Sequence, residues 1–172
     1  DRYLKDHPEY FGLDPYGRRG LHEGRSGRAK LCLSNDGCID QIISNWTSSG
    51  TNRFLNICPN DGSLGFCHCE KCLALDERRP GEGFYANLTD RYLNFWNRVT
   101  ARALAVRSDV KVVTYIYSYY RHPPRREKIQ FPDSMLFGIV PSGLDDYVSD
   151  LENWKKAGLK GGTFFMRPNF TA

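Results

Sequence analysis

The chain is predicted to fold as an α/β domain: a parallel sheet with flanking helices, arranged as a partial or truncated TIM-barrel-like (β/α) unit. Three observations carry this. Short apolar runs of strand character alternate with stretches of helical period, and parallel strands need such crossover connections. Each run stops on a breaker, at Asn35, Asn60, Tyr117, Pro141 and Arg167, so the strand ends are expected to share one rim. About five strands are counted, fewer than a closed eight-stranded barrel of roughly 250 residues requires. Residues 1–172 are read as a single α/β domain, expected to be a fragment of a larger (β/α) barrel because it stops on a strand, or else a small open α/β domain.

In order, residues 1–28 form an irregular N-terminal segment. Gly17, Gly20, Gly24 and Gly27 argue for loop and a short hairpin. Ala29 to Leu33 reads as a strand. Asn35 and Asp36 then cap a helix whose apolar positions Ile39, Ile42, Ile43 and Trp46 recur three and four apart, up to Gly50. Phe54 to Cys58 is a second strand, broken by Pro59 and the Asn60-Asp61-Gly62 turn. The clearest helix follows: Leu88, Tyr92, Phe95, Trp96, Val99, Ala103 and Val106 make one stripe, with Arg91, Asn94, Arg98 and Arg102 placed largely outside it. Val110 to Tyr117 is β-branched and aromatic, hence a strand, ended by His122-Pro123-Pro124. Met135 to Val140 is another strand, Ser142 to Gly158 a helix, and Gly162 to Met166 a last strand.

Composition narrows the function classes. A net charge of +4 with scattered arginines gives no nucleic-acid footprint; the Arg121, Arg125, Arg126 and Lys128 cluster reads as a solvated loop. No apolar run approaches the roughly 20 residues of a membrane span. Aromatic residues make up 13% of the chain, which suits a carbohydrate surface. Three Asn-x-Thr sequons, at Asn45, Asn87 and Asn169, are read as chance matches, two of them within predicted helices.

All six cysteines fall between positions 32 and 72, three of them in one loop, Cys67, Cys69 and Cys72. Zinc takes about four ligands in a tetrahedron, and C-x-C-x-x-C supplies three, with Cys58 or His68 as the fourth. The alternative is a disulfide knot in an oxidising compartment, pairing Cys67 or Cys69 with Cys58, or Cys32 with Cys38. Under either reading the loop is pinned. Zinc is therefore the one cofactor considered.

The rim itself carries the candidate chemistry. Asp61 stands just past a strand end and is the candidate catalytic carboxylate. Glycoside hydrolysis uses two carboxyls roughly 5–9.5 Å apart, and Glu70, Asp36 and Asp145 are the alternatives for the second. The plain alternative for Asp61 is a turn former in Asn-Asp-Gly. Asn60, Tyr115, Tyr117, His122 and Arg167 are the candidate substrate-binding residues, since sugar rings lie on aromatic faces while their hydroxyls meet polar groups. Core packing is the competing role for the tyrosines. His22, Glu23, Pro168 and Asn169 are placed at the border of the same pocket, and Trp46, Trp96 and Trp154 in the core.

The segments HPEYF, LCLSN, PNDG…FCHCEKC, DRYLNFWNRVTARAL and VKVVTYIYSYYRHPP occur here in that order. Over roughly residues 7–140 they resemble an uncharacterised domain family of bacterial proteins, many of them secreted and linked to polysaccharide breakdown. The resemblance implies a glycoside-hydrolase-like barrel, similar to those of α-glucuronidases and β-hexosaminidases. The expected function is thus a domain acting on or binding polysaccharide, with hydrolysis by paired carboxylates. The alternatives are a non-catalytic carbohydrate-binding or structural portion of a larger protein, or a cysteine-ligated zinc interaction domain. The expected location is secreted or periplasmic. The expected partners are carbohydrate, the rest of a larger chain and, through open sheet edges, further copies of the same chain as a homo-oligomer.

Overall fold

The computed structural model describes residues 2–20, 29–62, 64–160 and 164–168. Four strands, β1 (Phe54–Asn56), β2 (Lys111–Ile116), β3 (Met135–Ile139) and β4 (Phe164–Met166), form one parallel sheet in the order β1-β2-β3-β4. Helix α1 (Asp36–Ser48) precedes the sheet. Helices α2 (Glu70–Leu73) and α3 (Thr89–Val106) link β1 to β2, and α4 (Leu144–Lys156) links β3 to β4. The α/β class and the parallel sheet are therefore as expected, and the sheet is open. Among the described residues no helix is long and apolar enough to cross a membrane.

One predicted strand is corrected. Ala29 to Leu33 does not join the sheet. Leu31 makes an isolated antiparallel bridge with Phe11, while Gly12 N–H donates to Lys30 O and Cys32 N–H to Tyr10 O, at 2.8 Å each. The backbone hydrogen bonds that a fifth strand needs are taken by the N-terminal segment instead. That segment also holds a tight turn, with Leu13 bridging Arg19 and the Asp14 carboxylate accepting from Tyr16 and Arg18 N–H.

Strand parity divides the sheet into two unlike faces. Leu55, Val112, Thr114, Ile116, Met135, Phe137 and Ile139 point one way and are buried. Trp96 of α3 and Trp154 of α4 both pack on Phe137, with ring centroids 5.7 and 5.8 Å apart, and α1 packs on α3. The three tryptophans are in the core as expected. The other face presents Phe54, Asn56, Val113, Tyr115, Leu136 and Phe165, half-buried or exposed, with Phe54 52% accessible. Parallel sheets are ordinarily covered on both faces.

The cap of α1 follows the sequence. Asn35 caps α1 by accepting from Cys38 N–H at 2.9 Å. Asn87 Oδ1 accepts Thr89 N–H at 2.8 Å at the start of α3. Arg98 and Arg102 reach Asp36, clamping α3 to α1. Arg91, in contrast, is 1% exposed and its placement outside the apolar stripe is corrected. It donates to both Asp76 oxygens at 2.6 and 2.5 Å and to Cys67 O at 2.7 Å, so a buried acid draws it inward.

Glu82 holds the guanidinium of Arg125 at 2.5 and 2.8 Å and accepts Arg79 N–H at 2.8 Å. The Arg125 contact, helped by the Arg79 bond, holds the Glu82 carboxyl down at about 2. Because this folded-state value lies below the unfolded one of 4.5, the contribution is present above pH 4.5 and fades as pH falls towards 2. Glu82→Gln is therefore expected to lower stability at neutral pH, with the gap to wild type closing across that window. Denaturant titrations of both proteins check this, and a gap independent of pH would refute it.

Candidate functional site

The C-terminal ends of the strands gather around a hollow of about 160 Å³, lined by Pro59, Asp61, Tyr115, Tyr117, Tyr120, Val140 and Arg167. Each side chain is there for a local reason. Pro59 stops β1, and Gly62, at φ 104°, closes the turn that turns Asp61 out to solvent. Alternation along β2 puts Tyr115 and, just beyond it, Tyr117 on the uncovered face. Arg167 follows β4, its N–H donating to Ile139 O at 2.8 Å, and its guanidinium lies 5.0 Å from the Tyr115 ring centroid.

Tyr117 Oη lies 3.5 Å from Asp61 Oδ1, which also accepts Gly62 N–H at 2.8 Å. Asp61 is thus a turn former and a rim carboxylate at once. Gly138 makes room for Tyr115. It faces Tyr115 on β2 and Phe165 on β4 in register, and a Cβ there would lie 2.5 Å from Tyr115 Cδ1 and 2.7 Å from Phe165 Cζ.

A second hollow of about 190 Å³ adjoins across Pro59 and Asn60, between residues 29–33 and the end of β1. It exposes a residue that the sequence did not single out. Lys30 is buried, donates to Asn60 O and lies 5.2 Å from the Phe66 ring centroid. Burial pushes its ammonium down to about 8, opposed by the attraction of Asp61. A lysine within an apolar run gives no local signal for this. Asn60 Nδ2 donates to Ala29 O at 2.8 Å, so its amide ties the rim to the N-terminal segment.

The remaining candidates sit elsewhere. His122 is exposed and outside the lining of the hollow; its carbonyl accepts Thr89 Oγ1–H at 2.6 Å. Asp36 and Glu70 line a different hollow, and Asp145 is exposed in the first turn of α4. Asp61 is the one carboxylate lining its hollow among the described residues. His22, Glu23 and Asn169 lie outside the described residues.

The cysteines form a separate cluster. Cys32, Cys67, Cys69 and Cys72 have their sulfur atoms within 4.8 Å of one another. Cys58 is not among them. Its sulfur lies 3.9 Å from Val113 O, and burial pushes the thiol up to about 11. The other residue considered as a fourth ligand, His68, is stacked on Phe84 with centroids 3.8 Å apart. All six cysteines are free, which corrects the disulfide alternatives. Cys32 approaches no sulfur closer than 3.7 Å, against about 2.05 Å for a bond. Thiols from Cys67 and Cys72 press Cys32 well below the usual thiol range, while the same contacts raise Cys67 to about 11 and Cys72 further.

No curated protein and no solved structure matches the chain. The segments that build the rim and the cysteine cluster all lie within residues 1–157, which match the family model described as Domain of unknown function (DUF4838), apart from β4 and Arg167; the chain belongs to that domain family.

Proposed function

We propose that this domain binds saccharide at the strand-end rim and contributes that rim to a glycoside-hydrolase-like (β/α) barrel. The observation that carries the proposal is the convergence of Asp61, Tyr115, Tyr117 and Arg167 from three different strand ends on one hollow. Two tyrosines offer flat apolar surface to a sugar ring, and the carboxylate and guanidinium offer charge-assisted hydrogen bonds to its hydroxyls. Binding at the carboxyl ends of parallel strands is the general habit of such sheets. The uncovered sheet face supports the barrel reading, since further strands curling over it would bury Tyr115, Leu136 and Phe165 as interior residues. At about 160 Å³ the hollow is smaller than the roughly 300 Å³ of an ordinary ligand pocket, so it holds one ring at a time.

The second reading, hydrolysis, rests on Asp61. A partner carboxyl roughly 5–9.5 Å away is needed, and those additional strands are where it would stand. The cysteine cluster serves the rim as its fastening.

Titrating the 172-residue chain with a panel of oligosaccharides, followed by amide NMR shifts, tests the proposal. Shifts are expected around residues 59–62 and 115–117. Tyr115→Ala and Asp61→Asn are each expected to weaken binding about tenfold, equivalent to about 1.4 kcal/mol. An affinity unchanged in both variants, or no shift with any saccharide, would overturn it. Release of new reducing ends that disappears in Asp61→Asn, with binding retained, would place the domain on the hydrolytic side.

A further inference from the structure

We infer that Cys32, Cys67, Cys69 and Cys72 together bind one structural zinc ion. The argument is geometric. Cys32 Sγ lies 3.7 Å from Cys67 Sγ, 3.7 Å from Cys69 Sγ and 3.9 Å from Cys72 Sγ. A zinc ion with four sulfurs at about 2.3 Å spaces those sulfurs about 3.8 Å apart along the edges of the tetrahedron. The three edges that meet at Cys32 match that value, and the other three close within 4.8 Å. They are far too long for disulfides. A four-sulfur tetrahedral set selects zinc or iron among the common metals, and a closed set of four protein ligands is the structural kind.

The surroundings suit thiolates. Leu13 N–H donates to Cys67 Sγ at 3.3 Å and Cys69 N–H to the same sulfur at 3.5 Å. Ser34 Oγ lies 3.3 Å from Cys72 Sγ and 3.5 Å from both Cys32 Sγ and Cys69 Sγ. Donors of this kind orient and steady metal-bound sulfur. The Arg91 guanidinium, itself paired with Asp76, donates to Cys67 O and so steadies the backbone of one ligand. As the ion binds, the thiol protons leave to solvent.

The ligands come from two separate stretches. Cys32 precedes α1, whereas the other three belong to the loop and short helix after β1. A zinc ion therefore joins the N-terminal segment to that loop. It holds Lys30, two residues from Cys32, in place against Asn60 at the rim. The inference stands on the sulfur geometry alone and is independent of the saccharide reading.

The test is metal analysis of the chain purified under reducing conditions without chelator, and again after reconstitution with zinc chloride. One zinc per chain is expected, with the four cluster thiols protected from a thiol reagent until chelator is added, and half-buried Cys58 reacting ahead of buried Cys38. Cobalt substitution is expected to give the intense visible bands of a tetrahedral four-thiolate site. Cys58→Ser and Cys38→Ser are expected to keep the full metal complement, whereas Cys32→Ser loses it or binds about a hundredfold more weakly, by the scale of ligand-environment losses. Should Cys32→Ser fail to fold, the stoichiometry of the wild type and of Cys58→Ser still decides. Cluster thiols that react as readily with zinc as without it, and no zinc retained after reconstitution, would overturn the inference. So would retention of zinc by Cys32→Ser together with its loss in Cys58→Ser, or iron in place of zinc.

Discussion

Asp76→Ala is expected to destabilise the domain by about 3–5 kcal/mol, the range for removing one partner of a buried ion pair. The Asp76 side chain is fully inaccessible and Arg91 is 1% exposed, so solvent cannot replace the lost partner. Arg91 would keep only the Cys67 carbonyl at 2.7 Å and the face of Phe84, with its charge otherwise uncompensated. Against a total stability of 5–15 kcal/mol for an ordinary domain, a loss of about this size is a large fraction, and a fall in melting temperature of roughly 10 °C accompanies it. Urea titration followed by tryptophan fluorescence measures the change. The double variant Asp76→Ala, Arg91→Met is expected to recover part of it, because no charge is then left buried. A loss below about 1 kcal/mol for Asp76→Ala, as for an exposed pair, would show that the pair carries little.

Gly138→Ala has the next largest expected effect, about 1–3 kcal/mol of overpacking strain. Its added methyl meets ring atoms on both sides, Tyr115 Cδ1 at 2.5 Å and Phe165 Cζ at 2.7 Å, so both rings must shift to admit it. Tyr115 is further held by the Arg167 guanidinium. The same substitution therefore disturbs the rim, and saccharide affinity is expected to fall in Gly138→Ala alongside stability. A stability unchanged within about 0.5 kcal/mol would mean that the two aromatic rings adjust freely.

Much of the fold was legible because its signals are local. The stripe from Leu88 to Val106 marked α3, Gly143 and Gly158 bracket α4 close to where the sequence ended its last helix, and the β-branched run marked β2. Parity and strand-ending breakers were enough to bring Asp61, Tyr115, Tyr117 and Arg167 to one rim. Ala29 to Leu33 misled because its apolar run has strand character whether or not a neighbouring ladder accepts it. The N-terminal residues Tyr10 and Gly12 took its backbone groups first.

Alone, then, the sequence determined the alternation of strands and helices and the gathering of the strand ends at one rim. Only the tertiary structure decided that Cys32 and not Cys58 completes the four-sulfur cluster, that Arg91 turns inward to Asp76, that Lys30 stands behind Asn60, and that Gly138 admits two aromatic rings. The physical reason is range. Periodicity and turn chemistry act over a few residues, whereas each of these contacts joins positions that chain spacing leaves unrelated, and close packing of a folded core is what chooses between them.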